Sequence, residues 1–457
     1  MYELSFLLQC ILSKSTQTSI PNHFCEKLFF YLFNQLERHS PQLVSLLCST
    51  LYSTRYIPTT TVIDMPPLHL STFVTNRSVK SMSIIRYLNL LLNKHSSPLP
   101  SKFHQLLYEY LLNATIYSEN SLHFLCELLI LGHYANYSHE QFLNYLTRFL
   151  SQLIKHTDQF EIKLLTHFIY HLCMIDPTNR FKSKLCVRLL ADYLMKLIHE
   201  QKTPHWIVQA MYGMMQIDEY NYTLLTYLVS DQYLPYLFSE IGRYTNSVQR
   251  QLYDIHYAIQ IDRPQFSQVL LNEKVVNYTS KISAEYRSHT KLTMKYYTQY
   301  LNELHEQFQL VYGNDACTII DNHVMFPHFL FDFLELKLPN KEELLDIGIL
   351  LYDSIAVLPV LPSMLLKQQR SNFTITKVLN AQTTMRYRHL ERYKYKVVPL
   401  SYFLIQQSYL NRVPVRLALR MSSLAVGEIF SIKFLTLSTP RDSMFALLTS
   451  DELGPSD

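Results

Sequence analysis

The chain has 457 residues, 48% of them hydrophobic, enough to fill the cores of two or more domains and unlike a disordered chain. Only 7 glycines occur, which counts against Gly-rich phosphate loops and tight hairpins and favours helices joined by Pro, Asn and Ser turns; the expected class is mainly α. The formal charge of +4 names no partner but is unevenly spread: between Arg370 and Arg420 ten Arg or Lys face one acid, Glu391, a balance of +9 that leaves −5 for the rest.

The first residues, "MYELSFLLQCILSKSTQ", hold Glu3 and no base before Lys14. They resemble neither a secretory leader nor an Arg-rich transit peptide, so import is either not encoded here or encoded upstream. Residues 1–80 read as an N-terminal helical segment. From residue 81 to about 265, amphipathic stretches alternate with short polar breaks. The endings "IYHLCMID", "MYGMMQID" and "IHYAIQID" set Ile-Asp at 175/176, 217/218 and 261/262, intervals of 42 and 44 residues. A turn and a second helical stretch follow the first two. Helix pairs at that period predict an α-solenoid of helix-pair repeats over 81–313, each pair burying its apolar face on its neighbours. Within it, Met294, Tyr297, Leu301, Leu304, Phe308 and Val311 predict one long amphipathic helix over 287–313, closed by Gly313. The 7 cysteines are odd in number, far apart and mostly inside apolar runs, as buried thiols of a reducing compartment are; no CxxC pair exists for zinc.

After Gly313 the pattern changes. "HFLFDFLELKL", "DIGILLYDSIAVL" and "YKYKVVPL" are short apolar runs, with a helical stretch over about 374–393 between the last two. They predict a small α/β domain over 314–410. The apolar run at 344–366 is interrupted by Asp346, Asp353, Pro359 and Pro362, so it reads as strands, and no integral membrane span is expected. Residues 411–457 form a C-terminal extension with one hairpin-like run, "GEIFSIKFLTL".

The stretch "RHLERYKYKVVPLSYF" (388–403) joins a basic helix end to a β-branched strand across two or three residues. It resembles the RAP domain, the C-terminal module of the FAST-kinase-domain family of mitochondrial RNA-binding proteins. "RQLYDIHYAIQIDRP" is similar to the first FAST segment of that family, and "FPHFLFDFLELK" with "DIGILLYDS" to the second segment and the first RAP strands. The family usually carries Gly where Lys394 stands, Pro where Ser401 stands and an acidic-aromatic pair at Leu404 and Ile405, so a turn made differently is expected at Lys394. The resemblance implies a protein of the mitochondrial matrix that binds organelle transcripts and acts on their processing, stability or translation, alongside other RNA-processing proteins. Despite the family name, no Gly-rich loop, HRD-like loop or DFG is present, which excludes a protein kinase by motif.

RAP domains are similar to PD-(D/E)xK nuclease folds, in which carboxylates and a Lys on adjacent strands hold a divalent ion and polarise water. Asp332, Glu335 and Lys337 ("DFLELK"), with Asp353, form such a nuclease-like set; a degenerate site without resident metal or cofactor is the expectation. On a helical wheel for 374–393, Val378, Leu379, Met385, Leu390 and Tyr393 share the core face. Arg386 falls inside it, which predicts a structural ion pair with Asp353 or Asp332. Arg388 and Arg392 lie outside it and, with Lys394 and Lys396, are the candidate RNA-phosphate ligands, while Tyr395 and Tyr402 could stack bases. His167 and His171 lack the zincin Glu, since Phe168 stands there; His123 with Cys126 and His323 with His328 are equally unsupported as metal pairs. Two other readings stand beside RNA binding: a metal-dependent endoribonuclease, and a helical protein-interaction scaffold that touches no RNA.

Overall fold

In a computed structural model the residues described are 48, 49, 52, 82–94, 122–134, 137–139, 143, 144, 146, 161–176, 183–200, 207–239, 243–293, 295–313, 315, 317–320, 326–329, 333–339, 344–352, 354–358 and 376–401. They are mostly helical. The chain forms two compact units, the first of residues 1–295, 320–332 and 352–395, the second of 296–319, 333–351 and 396–457.

The first unit holds helices α1 (Met82–Lys94), α2 (Leu122–Tyr134), α3 (Ile162–Ile175), α4 (Ser183–Glu200), α5 (Val208–Gln216), α6 (Tyr222–Leu228), α7 (Tyr233–Ser239), α8 (Arg243–Asp262) and α9 (Glu273–Thr293). Apolar residues at three- and four-residue spacing make each helix bury one face: Leu165, Phe168, Ile169 and Leu172 on α3, Val187, Leu190, Ala191 and Leu194 on α4. These faces join one core in which α1 packs on α2, α2 on α3, α3 on both α4 and α5, α5 on α8, and α8 on α9. Gly213 sets the approach of α5 to α3, because a Cβ there would lie 2.9 Å from Tyr170 Cα. Polar residues mark the helix ends. Asn221 Oδ1 accepts the N–H of Leu224 at 2.9 Å, capping α6, and Asn272 Oδ1 accepts that of Val275 at 3.0 Å, at the start of α9.

This unit also contains a three-stranded sheet of β1 (Tyr137–His139), β5 (Ser354–Leu358) and β6 (Thr376–Leu379), in that order. β1 runs parallel to β5, with Ser138 opposite Val357, and β5 antiparallel to β6, with Ile355 opposite Val378. Helix α11 (Ala381–Arg392) packs on α3, α5 and α8, and it is shorter than the helix expected over 374–393: Thr376–Leu379, including Val378 and Leu379 of the wheel, form strand β6, and Asn380 caps the helix start. The stretch expected as one α/β domain over 314–410 is therefore shared between the units. Its β5, β6 and α11 cluster with the helices because their partners, β1 and the core helices, lie far upstream in the chain.

The second unit holds α10 (Lys295–Tyr312) and a four-stranded sheet in the order β2 (Cys317–Ile320), β3 (Phe333–Pro339), β4 (Leu344–Tyr352), β7 (Lys396–Ser401). Of the single helix expected over 287–313, the described residues are helical up to Thr293 in α9 and from Lys295 to Tyr312 in α10; Met294 lies outside the described residues. Leu301, Leu304 and Phe308 of the expected stripe are buried, and Gly313 has φ +100, the conformation a C-terminal glycine supplies. The run at 344–366 is strand where described, and among the described residues no helix is long and apolar enough to cross a membrane. Cys48, Cys126, Cys173, Cys186 and Cys317 are buried thiols; Cys10 and Cys25 lie outside the described residues.

Candidate nucleic-acid interface

Helix α11 carries the basic residues that the sequence singles out. It starts at Asn380, whose Oδ1 accepts the N–H of Thr383 at 2.8 Å. It ends in a Schellman motif: the N–H of Lys394 bonds to Glu391 O at 2.9 Å and that of Tyr395 to Leu390 O at 3.1 Å. Lys394 has φ +67, so this turn is the left-handed one that a glycine would make, not a different one. Holding a side chain there costs roughly 1–2 kcal/mol.

The motif sorts the aromatic residues. Leu390 and Tyr395 occupy its two apolar positions and are both buried, so Tyr395, 7% exposed, offers no face to a base. Tyr393, assigned to the core face by the wheel, is instead 48% exposed, its ring edge-on to Phe326 at 4.9 Å. Lys394 is exposed beside it. Lys396 opens β7, and Tyr402 lies outside the described residues.

Arg388 does not project from the helix as the wheel suggests; its side chain is 16% exposed and its guanidinium is filled with acceptors. Nη2 donates to Asp262 Oδ2 at 2.7 Å and to Met215 O at 2.9 Å, Nε to Asp262 Oδ1 at 3.3 Å, and Nη1 to Gln216 O at 3.2 Å. The two carbonyls belong to the last turn of α5, where backbone acceptors lack helical partners and favour a cation. Arg392 Nη1 donates to Asp262 Oδ1, and its Nη2 lies 3.4 Å from Asp218 Oδ2. Arg263 Nη1 lies 3.1 Å from Asp218 Oδ1, and the Tyr220 hydroxyl donates to Asp262 Oδ2 at 2.6 Å. The second and third of the repeated Ile-Asp endings thus become the counter-charges of α11. Asp218 stands at φ +61 in a second Schellman motif, with its N–H on Met215 O and that of Glu219 on Met214 O.

Asp262 also organises two buried histidines. His389 Nε2 lies 3.1 Å from Asp262 Oδ2, and His389 Nδ1 lies 2.7 Å from His328 Nε2. A carboxylate draws a proton onto the nitrogen that faces it, so His389 carries its hydrogen on Nε2, His328 donates from Nε2, and His328 Nδ1 keeps a lone pair. Burial alone would raise the Asp262 pKa, but His389 and Arg388 outweigh it and hold the carboxyl well below the usual range. Burial lowers both histidines, His328 far below the ordinary value. All three are neutral or paired at pH 7.

Arg386, predicted as the structural arginine, is buried with its guanidinium 5.3 Å over the Phe329 ring; its proposed partners Asp332 and Asp353 lie outside the described residues. Of the nuclease-like set, Glu335 and Lys337 lie on β3 with Lys337 Nζ 3.4 Å from Glu335 Oε2, opposite Gly348 and Asp346 of β4. Among the described residues no three His, Cys, Asp or Glu come together as metal ligands. His171 is buried with its Nδ1 2.8 Å from Nδ1 of His133, His123 is exposed while Cys126 is buried, and His323 lies outside the described residues. Two features escape the sequence reading: the Asp262 junction, whose signal was the Ile-Asp ending taken only as a period mark, and the exposure of Tyr393. Compared with known proteins, the chain matches no family model, no curated protein and no solved structure.

Proposed function

We propose that the chain is a non-catalytic RNA-binding protein of the mitochondrion, acting on the processing, stability or translation of organelle transcripts. A stacked array of helix pairs and a RAP-like α/β portion would hold a transcript and shield it or present it to processing enzymes. What supports the reading most is the end of α11. At Lys394, where the RAP family carries Gly, the backbone is left-handed with φ +67, and the turn leads directly into strand β7. That turn leaves Tyr393 and Lys394 side by side on the surface, an aromatic face for a base next to a cation for its phosphate. Arg388 and Arg392 serve this surface indirectly, by fixing α11 on Asp262 and Asp218.

Crosslinking in cells followed by sequencing of the bound RNA tests the proposal. Organelle transcripts are expected, and recovery of none would overturn it. In vitro, affinity for single-stranded RNA is expected to fall as salt rises and to drop about tenfold in the Tyr393→Ala, Lys394→Glu pair, since one stacked base and one phosphate contact each contribute about 1–3 kcal/mol or one unit of salt slope.

A further inference from the structure

A second polar cluster lies on α8 and α9, with the segment 326–329. Arg250 Nη1 donates to Asp254 Oδ2 at 2.8 Å, and the Arg250 guanidinium lies 4.4 Å over the Tyr286 ring. Arg287 Nη1 donates to Pro327 O at 2.7 Å. The remaining edge of Arg287, Nε and Nη2, meets no acceptor among the described residues, although Arg287 is only 4% exposed. Arg250 Nε is in the same position.

Buried donors are almost always satisfied, and a buried cation with no counter-charge costs several kcal/mol. Among the described residues, two guanidiniums here share one carboxylate. Burial pushes the Asp254 carboxyl up to about 7 in spite of Arg250 and Arg287, so near neutral pH that carboxylate is itself only partly charged. Among the described residues the cluster therefore keeps at least one positive charge uncompensated. The open pair on Arg287 is the edge whose two N–H groups point the same way, the fork that fits two oxygens of one oxyanion. His328, next to Pro327, adds no donor, because its Nδ1 keeps a lone pair.

We propose that the Nε/Nη2 edge of Arg287 is an oxyanion subsite that takes a phosphate group, free or carried on an RNA end. The test is titration of the full chain with inorganic phosphate and, separately, with a 5′-phosphorylated RNA oligonucleotide and its 5′-hydroxyl counterpart. Saturable binding is expected, with Arg287→Lys weakening it about tenfold or more, because Lys keeps the charge but loses the two parallel donors. A phosphate arm that saturates alone identifies a free anion; a preference for the 5′-phosphate oligonucleotide over its counterpart identifies an RNA end. Absence of saturation in every arm, or equal affinity in Arg287→Lys, would overturn the subsite. Should Arg287→Lys fail to fold, Asp254→Asn serves instead: removing the competing carboxylate is expected to tighten phosphate binding, and unchanged or weaker binding counts against the proposal.

Discussion

Arg388 and Asp262, 126 residues apart in the chain, meet at 2.7 Å in a place where the aspartate side chain is wholly buried. The contact joins the helix within the C-terminal basic stretch to the last turn of α8, and through two carbonyls to the last turn of α5. Removing one partner of such a pair leaves a buried charge alone, which typically costs about 3–5 kcal/mol. Arg388→Ala is therefore expected to lower the urea midpoint sharply. Arg388→Lys recovers only part of the loss, because an ammonium cannot serve the carboxylate and both carbonyls from one plane. A midpoint within experimental error of the parent in Arg388→Ala would remove the junction from any account of stability.

Acid should weaken the fold before ordinary carboxylates titrate. Burial lowers His133 and His256 to about 4 each, and lowers His171, His328 and His389 as well, against about 6.5 in the unfolded chain. A depressed histidine is protonated first in the unfolded state, so its stabilisation is full above about 6.5 and is lost as pH falls through its folded value, about 4 for His133 and His256, at about 1.4 kcal/mol per pH unit. Asp254, raised to about 7, acts in the opposite sense but is one group against six, His167 being lowered too. Asp262, held low, adds its own loss only below about pH 4. Denaturant midpoints measured from pH 8 to 4 should fall from about 6.5 downward, and His133→Gln should flatten that slope; an unchanged slope in the variant would refute the assignment.

Among the described residues, two side chains stand in left-handed backbone at helix ends, Asp218 at φ +61 and Lys394 at φ +67. Glycine relieves the same strain at both, yet the outcomes should differ in sign. Lys394 is exposed, so Lys394→Gly is expected to stabilise by about 1 kcal/mol while removing a proposed phosphate contact. Asp218 faces Arg263 and Arg392, so Asp218→Gly loses more than it relieves and should lower the midpoint. Equal shifts in the two variants would show that backbone strain outweighs the ion pairs.

The sequence made the local features legible and the distant ones opaque. Apolar spacing located α3, α4, α5, α8 and the buried stripe of α10, because periodicity is a property of one segment. The basic stretch and the helix end at Arg392 were legible for the same reason. What the wheel could not show is which face of α11 meets partners. It treated Arg388 as outward because the wheel counts only apolar neighbours, whereas an arginine can be held inward by carboxylates from residues 218 and 262. Tyr393 and Tyr395 exchanged roles because a Schellman motif turns the chain back on the helix, folding the residue after Lys394 inward. Nor could spacing anticipate that β5 would pair with β1, some 220 residues upstream, and so draw part of the expected α/β domain to the helices.

Gly213 gives a test of the packing that positions α5, and with it the carbonyls that Arg388 caps. The helix has no conformational need for glycine there, so propensity alone would favour alanine by about 1 kcal/mol. The added Cβ would lie 2.9 Å from Tyr170 Cα and 3.3 Å from Tyr170 O, backbone atoms of α3 that cannot turn aside. Overpacking of that kind costs about 1–3 kcal/mol, so Gly213→Ala should destabilise despite its better propensity. The displacement of α5 should also weaken the Arg388 contacts with Met215 O and Gln216 O, making the effects of Gly213→Ala and Arg388→Lys less than additive in a double-mutant cycle. A stabilised Gly213→Ala would mean that α3 and α5 pack less closely than this, and strict additivity would uncouple the glycine from the junction.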